Sequence, residues 1–330
     1  KPFLLMCQHK APHRSWMPGP DHLDLYDGVE IPEPPTLFDD YASRASPARE
    51  QEMEIDRHMY IHYDLKVVPT EEEAANLRGA DRWIRGMRER MTPGQLAAWD
   101  AAFTDRNEAF RAAGLEGRDL VRWKYQRYIK NYLRCIASVD DNVGRLLAWL
   151  DEQGLADDTI VVYSSDQGFF LGEHGWYDKR FMYEPSLRTP LLVRWPGTVA
   201  AGGSEDALVQ NLDLAQTFLE VAGVDAPDRM QGASLVPLLS GRTPGDWRDS
   251  IYYEYFEQGI HNVHPHRGVR TDRWKLIEYP GTEEWELFDL QEDPDEIRNL
   301  AGEPAHAETR GRLERELRRL QVVYGVPADS

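Results

Sequence analysis

The sequence predicts an α/β fold: a mostly parallel sheet sandwiched by helices, followed by a smaller C-terminal α+β subdomain containing an antiparallel sheet. Three observations predict it. A helical pattern from Asp119 to Gln153 leads into the apolar, β-rich run Ile160 to Tyr163, the helix-then-strand alternation of a doubly wound sheet. A second such run, Leu191 to Trp195, closes at Pro196 and Gly197, and runs this apolar read as strands buried on both faces. After Leu239-Ser240-Gly241 the composition shifts to short β-rich runs, IYYEYF, GVRTDRWKLIEY and WELFDL, separated by turns, which reads as antiparallel pairing. The expected domains are therefore 1–240 and 241–330.

Taken in order, residues 2–7, PFLLMC, read as a strand. Such a strand needs neighbours on both sides, so the chain is expected to start inside a domain. A polar loop, Gln8 to Arg14, follows it. Residues 17–48 are rich in proline and acids and read as a long irregular excursion of the kind that borders sites. From Thr70 to Gly114 the pattern is helical, with a capping box at Thr70 and Glu73 and another helix start at Thr92-Pro93. Trp83, Trp99, Phe103 and Phe110 are assigned to the buried stripe of this insertion, with no chemistry. Within 119–153, Tyr128, Leu133, Ile136, Val143, Leu146, Leu147 and Leu150 recur near the helical period, and Gly154 follows as C′ residue. Asp140 and Asp141 read as a solvated turn with a capping or salt-bridge role. Residues 204–224 carry an amphipathic helix ended by Gly223, and a charged helix from about Ala305 to Val323 closes the chain.

With 330 residues, 41% of them hydrophobic, the chain can bury a sizeable core. Lys plus Arg total 38 against 57 Asp plus Glu, a net charge of −19. That balance disfavours nucleic acid and anionic membrane surfaces as partners, and any anionic ligand must be met by a local positive site. No apolar run approaches the roughly 20 residues of a membrane span. Cys7 and Cys135 are the two cysteines and read as buried free thiols, with neither a disulfide framework nor a zinc site. The oligomeric state leaves no readable mark.

Polar residues Ser164, Ser165, Asp166, Gln167 and Gly168 follow the first predicted strand of the pair, at the carboxyl end where ligands bind in open α/β sheets. A carboxylate beside a side-chain carbonyl, then a glycine, suits a hard cation such as Ca²⁺ or Mg²⁺. Glu173, His174 and Lys179 lie downstream. The ordered series SDQGFFLGEHGWYDK, followed by RTPLLVRWPG, resembles the metal- and sulfate-binding segment of the sulfatase family, within the alkaline phosphatase superfamily. GVRTDRWKLI and WELFDLQEDPDEIRNLAG resemble the family's C-terminal subdomain.

The resemblance implies an alkaline phosphatase-like fold and a divalent cation, Ca²⁺ or Mg²⁺, ligated by Asp166 and Gln167. It implies Lys179 on a sulfate oxygen, His174 supporting the loop or contacting the sulfate, and His13, in the sequence KAPH, beside the bridging oxygen of the ester. An imidazole suits that last role, because an ordinary pKa of about 6.5 lets it protonate a leaving alkoxide near neutral pH. His9 and Lys10 are expected at the rim. The family's nucleophile is a formylglycine made from Cys or Ser in a Cys/Ser-x-Pro-Ser/Ala-x-Arg motif, preceded by an Asp-Asp pair that completes the metal site. Here Cys7 is followed by QHKAPH and Cys135 by IASVDD, so both motifs are expected upstream of residue 1, and these 330 residues alone are expected to be incomplete and inactive.

The expected activity is sulfate release from a sulfated glycan or sugar, with N-acetylglucosamine 6-sulfate the leading substrate, in a periplasmic or secreted enzyme. The alternatives are a phosphodiesterase or phosphonate hydrolase of the same superfamily, and a non-catalytic fragment. One cluster bears on the substrate. Residues 261–267, HNVHPHR, hold three histidines and an arginine. They read either as an exposed loop or chelating tract, or, as in glycan sulfatases of this pattern, as a place where His264, His266 and Arg267 offer donors to the sugar.

Overall fold

The computed structural model describes residues 2–257, 259 and 261–327. The chain forms two compact units, one made of the stretches up to Phe38, Met53–Ala156 and Leu171–Asp178, the other of Asp39–Glu52, Asp157–Phe170 and everything from Lys179 onward. No helix among the described residues is long and apolar enough to cross a membrane.

The first unit is helical. Helix α1 (Trp83–Glu89) is followed by α2 (Pro93–Ala113) and α3 (Gly117–Glu152). Helix α2 starts at Thr92-Pro93 as expected and carries a capping box besides: Thr92 accepts from the Gln95 amide while the Gln95 side chain accepts from Thr92, so two otherwise orphaned donors are satisfied reciprocally. The expected capping box, Thr70 with Glu73, is present on a single turn Glu71–Ala74. Gly154 lies just past α3 at φ +66°, the left-handed conformation that glycine adopts at no steric cost. Trp99 stacks on Phe103 at 4.4 Å and Phe110 on Trp123 at 3.7 Å. Asp141 on α3 takes the salt-bridge role, 2.7 Å from the His22 imidazole.

Three local expectations fail. Residues 2–7 form no strand; Phe3, Leu4, Leu5 and Met6 are 60–69% exposed, since a strand exists only through a ladder and no described segment pairs with them. Cys7 is accordingly exposed, whereas Cys135 is buried as expected. Trp83 does not join the buried stripe and is 64% exposed.

In the second unit, β1 (Val161–Ser164) pairs antiparallel with β2 (Leu191–Arg194), Val161 opposite Arg194 and Ser164 opposite Leu191. Neither is buried on both faces, for Tyr163, Leu191 and Leu192 are exposed. Helix α4 (Leu212–Val221) follows, anchored by buried Asp213, which takes both prongs of the Arg248 guanidinium. The C-terminal sheet is antiparallel throughout, as its short runs predict, but the run GVRTDRWKLIEY folds into two strands, so the meander has four: β3 (Ser250–Tyr255), β4 (His266–Thr271), β5 (Trp274–Tyr279) and β6 (Glu284–Asp289). Helix α5 (Ala307–Val323) covers one face. Its Leu313, Leu317 and Leu320 recur at i, i+4 and i+7 and pack on Val269, Leu276 and Leu287 of the sheet, a helical period meeting a period of two.

The segment 39–52 belongs to this unit although it lies far upstream in the chain. Ser43 and Arg44 donate to the Ile297 carbonyl, the Ala45 amide donates to Glu286, and the Ser46 amide donates to Glu284.

Candidate functional site

Asp166 and Gln167 sit on the turn immediately after β1, and the backbone around them is fixed from several sides. The Gly168 amide donates to the Ser186 carbonyl (2.9 Å) and the Phe169 amide to the Pro185 carbonyl (2.7 Å). Asn211 donates from its side chain to the Asp166 carbonyl (2.8 Å), and the Ser165 hydroxyl donates to the Gln167 carbonyl (2.8 Å). The main chain is thereby consumed internally while the Asp166 carboxylate stays exposed. Gly168 is required by close approach: a Cβ there would come within 2.8 Å of the carbonyl oxygens of Pro185, Ser186 and Arg188. Because backbone atoms cannot swing away, Gly168→Ala is expected to displace the Asp166 turn. Activity should fall at least about tenfold while Tm drops only a few degrees; unchanged activity by a sulfate-release assay would show that the turn need not be held.

Lys179 lies near Phe169, just beyond this turn. It is buried, its ammonium 5.7 Å from the Phe169 ring centroid. The residues on either side, Asp178 and Arg180, have φ of 76° and 114°, conformations that cost non-glycine residues of order 1–3 kcal/mol each and persist only where the surroundings impose them. The Arg180 amide donates to the Ser186 hydroxyl (3.0 Å). The turn that carries Asp166 and Gln167 and the segment that carries Lys179 are thus both attached to residues 183–188.

That support is fastened to the C-terminal sheet. Lys275, fully buried on β5, lies 2.8 Å from Glu184 and 2.6 Å from Glu296, and Glu296 accepts from the Glu184 amide. Burial raises the Glu184 pKa, but Lys275 and Arg270 outweigh it and hold the carboxyl below the ordinary range; for Glu296 burial wins and the pKa rises. The Tyr183 hydroxyl donates to Glu286 at 2.7 Å.

The histidine cluster divides. His264 is exposed, and with Arg267 it lines a cavity of about 890 Å³. Arg267 is a buried strand residue paired with Glu278 at 2.7 Å. His266 is 1% exposed, stacked on Phe181, Tyr253 and Tyr255. Burial pushes its pKa down to about 4 despite the carbonyls of His264 and Arg180, so near neutral pH it carries no charge.

The first unit holds the other two candidates. His13 is exposed on a turn closed by its amide on the Lys10 carbonyl (2.9 Å). Its Nδ1 lies 2.7 Å from the Arg14 carbonyl; a carbonyl only accepts, so Nδ1 carries the hydrogen and Nε2 is the nitrogen left for chemistry. The next residue fixes this turn. Arg14 grips fully buried Asp64 through two bonds of 2.7 and 2.6 Å, with the rings of Tyr60, Tyr63 and Tyr177 5.1–5.5 Å from its guanidinium carbon. Sequence reasoning missed this device, because Asp64 lies 50 residues away and no local pattern announces it. His174 is 1% exposed in a left-handed conformation (φ 57°), its amide donating to Thr36 at 2.9 Å. Its neighbour Gly172 has φ +109°, and a Cβ there would strike the Tyr125 ring at 2.7 Å.

Asp166 and Gln167 offer a carboxylate and an amide carbonyl, oxygen donors that fit part of the shell of a hard divalent cation. Among the described residues no group of three His, Cys, Asp or Glu side chains gathers to complete one.

Comparison with known proteins gives the family. The sulfatase family model matches residues 1–224, and the model of the N-sulphoglucosamine sulphohydrolase C-terminal region matches 172–323. The N-acetylglucosamine-6-O-sulfatase of Bacteroides thetaiotaomicron is 44% identical over 328 residues, covering 98% of this chain and 58% of that protein. A structure solved in complex with its substrate D-glucosamine-2-N,6-O-disulfate superposes with TM-score 0.91 at 43% identity, over 97% of this chain and 65% of the other. The phosphonate monoester hydrolase of Agrobacterium radiobacter gives TM-score 0.58 at 26% identity, over 62% of this chain and 43% of that one. The chain spans 58% of the length of the curated glucosamine sulfatase that it matches. The alkaline phosphatase-like fold follows from these neighbours, and the chain belongs to the sulfatase family.

Proposed function

We propose that the protein hydrolyses sulfate esters of N-acetylglucosamine-type glycans, and that this chain supplies the residues that hold and neutralise the sulfate. The observation that carries the reading is the attachment of Asp166, Gln167 and Lys179 to one support, residues 183–188, in a chain 44% identical to an N-acetylglucosamine-6-O-sulfatase. Lys179 places a compact positive charge against a sulfate oxygen. Asp166 and Gln167 would hold Ca²⁺ or Mg²⁺, together with oxygen ligands from elsewhere, and that cation would supply further positive charge to the sulfate. His13 presents Nε2 to the bridging oxygen and protonates the alcohol as it leaves. The nucleophile proposed is a formylglycine, and neither Cys7 nor Cys135 stands in the motif that produces one. His174, buried in its left-handed turn, supports the loop. On the sugar side, His264 contacts substrate hydroxyls or an acidic group, with His266 and Arg267 forming the strand behind it. A periplasmic or secreted location goes with a glycan substrate.

The test is sulfate release from N-acetylglucosamine 6-sulfate, a simple aryl sulfate and a phosphonate monoester. Turnover of the phosphonate alone would favour the phosphonate hydrolase reading. His264→Ala is expected to raise KM for the sulfated sugar about tenfold or more and leave the aryl sulfate nearly unchanged, since binding energy remote from the ester is lost from one substrate only. Equal kinetics of variant and wild type on both substrates would remove His264 from the site.

A further inference from the structure

The first unit contains a cavity of about 930 Å³ that the sulfate-handling residues, His13 excepted, do not line. Its wall carries Lys10, His13, Arg82 and Arg90, and no carboxylate side chain. In a chain with 57 acidic and 38 basic residues, this is a local reversal of sign. One face of α1 and its two caps form part of this wall: Arg82 and Arg90 cap the helix, and Trp83, Gly86, Met87 and Arg90 fall at i, i+3, i+4 and i+7 and all line the cavity, as residues on one side of a helix must. Arg88, off this face, is paired with Asp100 at 2.7 and 3.0 Å. Trp83 touches Tyr63 edge-to-face, with centroids 5.6 Å apart, and keeps 64% of its surface exposed.

A cationic rim with an open indole is more than an inorganic anion needs. Guanidinium forks match the oxygens of sulfate or carboxylate, whereas the flat indole suits the C–H face of a sugar ring, and the volume falls in the range of small-molecule sites. We infer that this cavity is a subsite for a second anionic group, a sulfate or carboxylate, on the same saccharide whose ester is cleaved, with Trp83 beneath the sugar and Arg82 and Arg90 on the anion. The inference rests on the glycan-sulfatase reading. Because His13 lines the same cavity, a ligand held there lies beside the proposed proton donor. The enzyme therefore selects glycans that carry more than one negative charge per recognition unit.

The test compares the full-length enzyme on a singly charged sugar, N-acetylglucosamine 6-sulfate, and a doubly charged one, glucosamine N,6-disulfate. Wild type should favour the second in kcat/KM. Arg82→Ala with Arg90→Ala should shrink that preference about tenfold, through KM and not kcat, and the paired Lys substitutions should restore part of it. Gly86→Leu serves as a second variant. A Cβ at Gly86 meets nothing within 4 Å, so the helix accepts the side chain, which fills the cavity and should reduce the preference in the same way. Turnover with the preference unchanged in all three variants would overturn the subsite while leaving the sulfatase reading intact. Calorimetric binding of the disulfated sugar, abolished by the Arg variants but with no sulfate released by wild type, would uphold the subsite and overturn the sulfatase reading.

Discussion

Lys179→Ala in the full-length enzyme is expected to lower kcat/KM for a sulfated sugar by roughly 10²–10³-fold, the loss typical of removing one preorganised electrostatic contact from a developing negative charge, while Tm moves by a few degrees. The asymmetry follows from the local construction. The backbone at 178–180 is held in conformations that a lysine does nothing to relieve, with Asp178 and Arg180 at positive φ, and the anchor on Ser186 comes from the Arg180 amide. The backbone anchor on Ser186 thus stays when the ammonium is removed, while the contact proposed for the sulfate is lost. Lys179→Arg should recover only a small part, because a planar fork does not reproduce a point charge in a tight site. Near-wild-type turnover by Lys179→Ala would assign this lysine to packing alone.

Lys275→Met is expected to do the opposite, costing about 3–5 kcal/mol of stability, the usual result of removing one partner from a buried ion pair. Glu184 and Glu296 both rest on this ammonium, and Glu296 is fully buried. Adding Glu296→Met should recover much of the loss, since the stranded carboxylate goes with its cation. Chemical denaturation of the single and double variants measures both quantities. A single variant as stable as wild type would mean that the cluster is neutral packing. Residual activity in the single variant should also fall, because Glu184 belongs to the support of the Asp166 turn.

What was legible in the sequence was what local pattern determines. The capping box at Thr70, the helix start at Thr92-Pro93, the glycine after α3, the antiparallel C-terminal sheet and the charged closing helix were all readable from short windows, although the run GVRTDRWKLIEY folds as two strands. So was the order Asp-Gln-Gly, Gly-Glu-His-Gly and lysine, which led to the family. Illegible features depend on partners distant in sequence. Residues 2–7 are apolar enough for a strand, yet pairing is a property of two segments and not of one. Tryptophan at 83 looks like core from its type, and only the placement of α1 tells that it stays 64% exposed at the cavity wall. Histidine 266 read as a donor because three histidines and an arginine crowd residues 261–267; no window shows that the rings of Phe181, Tyr253, Tyr255 and Tyr279 surround it. Arg14 with Asp64, and Lys275 between two glutamates, pair residues that no window contains.

The attachment of residues 39–52 to the C-terminal sheet sets an order of events during biosynthesis. Ala45 is translated 241 residues before Glu286, and Ser43 is translated 254 residues before Ile297. At about 5–20 residues per second, this segment waits on the order of 10–50 s as nascent polypeptide before the carboxylates and carbonyl that complete it leave the ribosome. Its backbone donors must be satisfied by water or by a chaperone in that interval, and the closing contacts span 241 and 254 residues, the kind of non-local step that slows folding. The final docking of this strap should therefore be the last part of the second unit to gain protection in pulse-labelled hydrogen exchange, and premature release of the chain before residue 284 should leave it open to proteases.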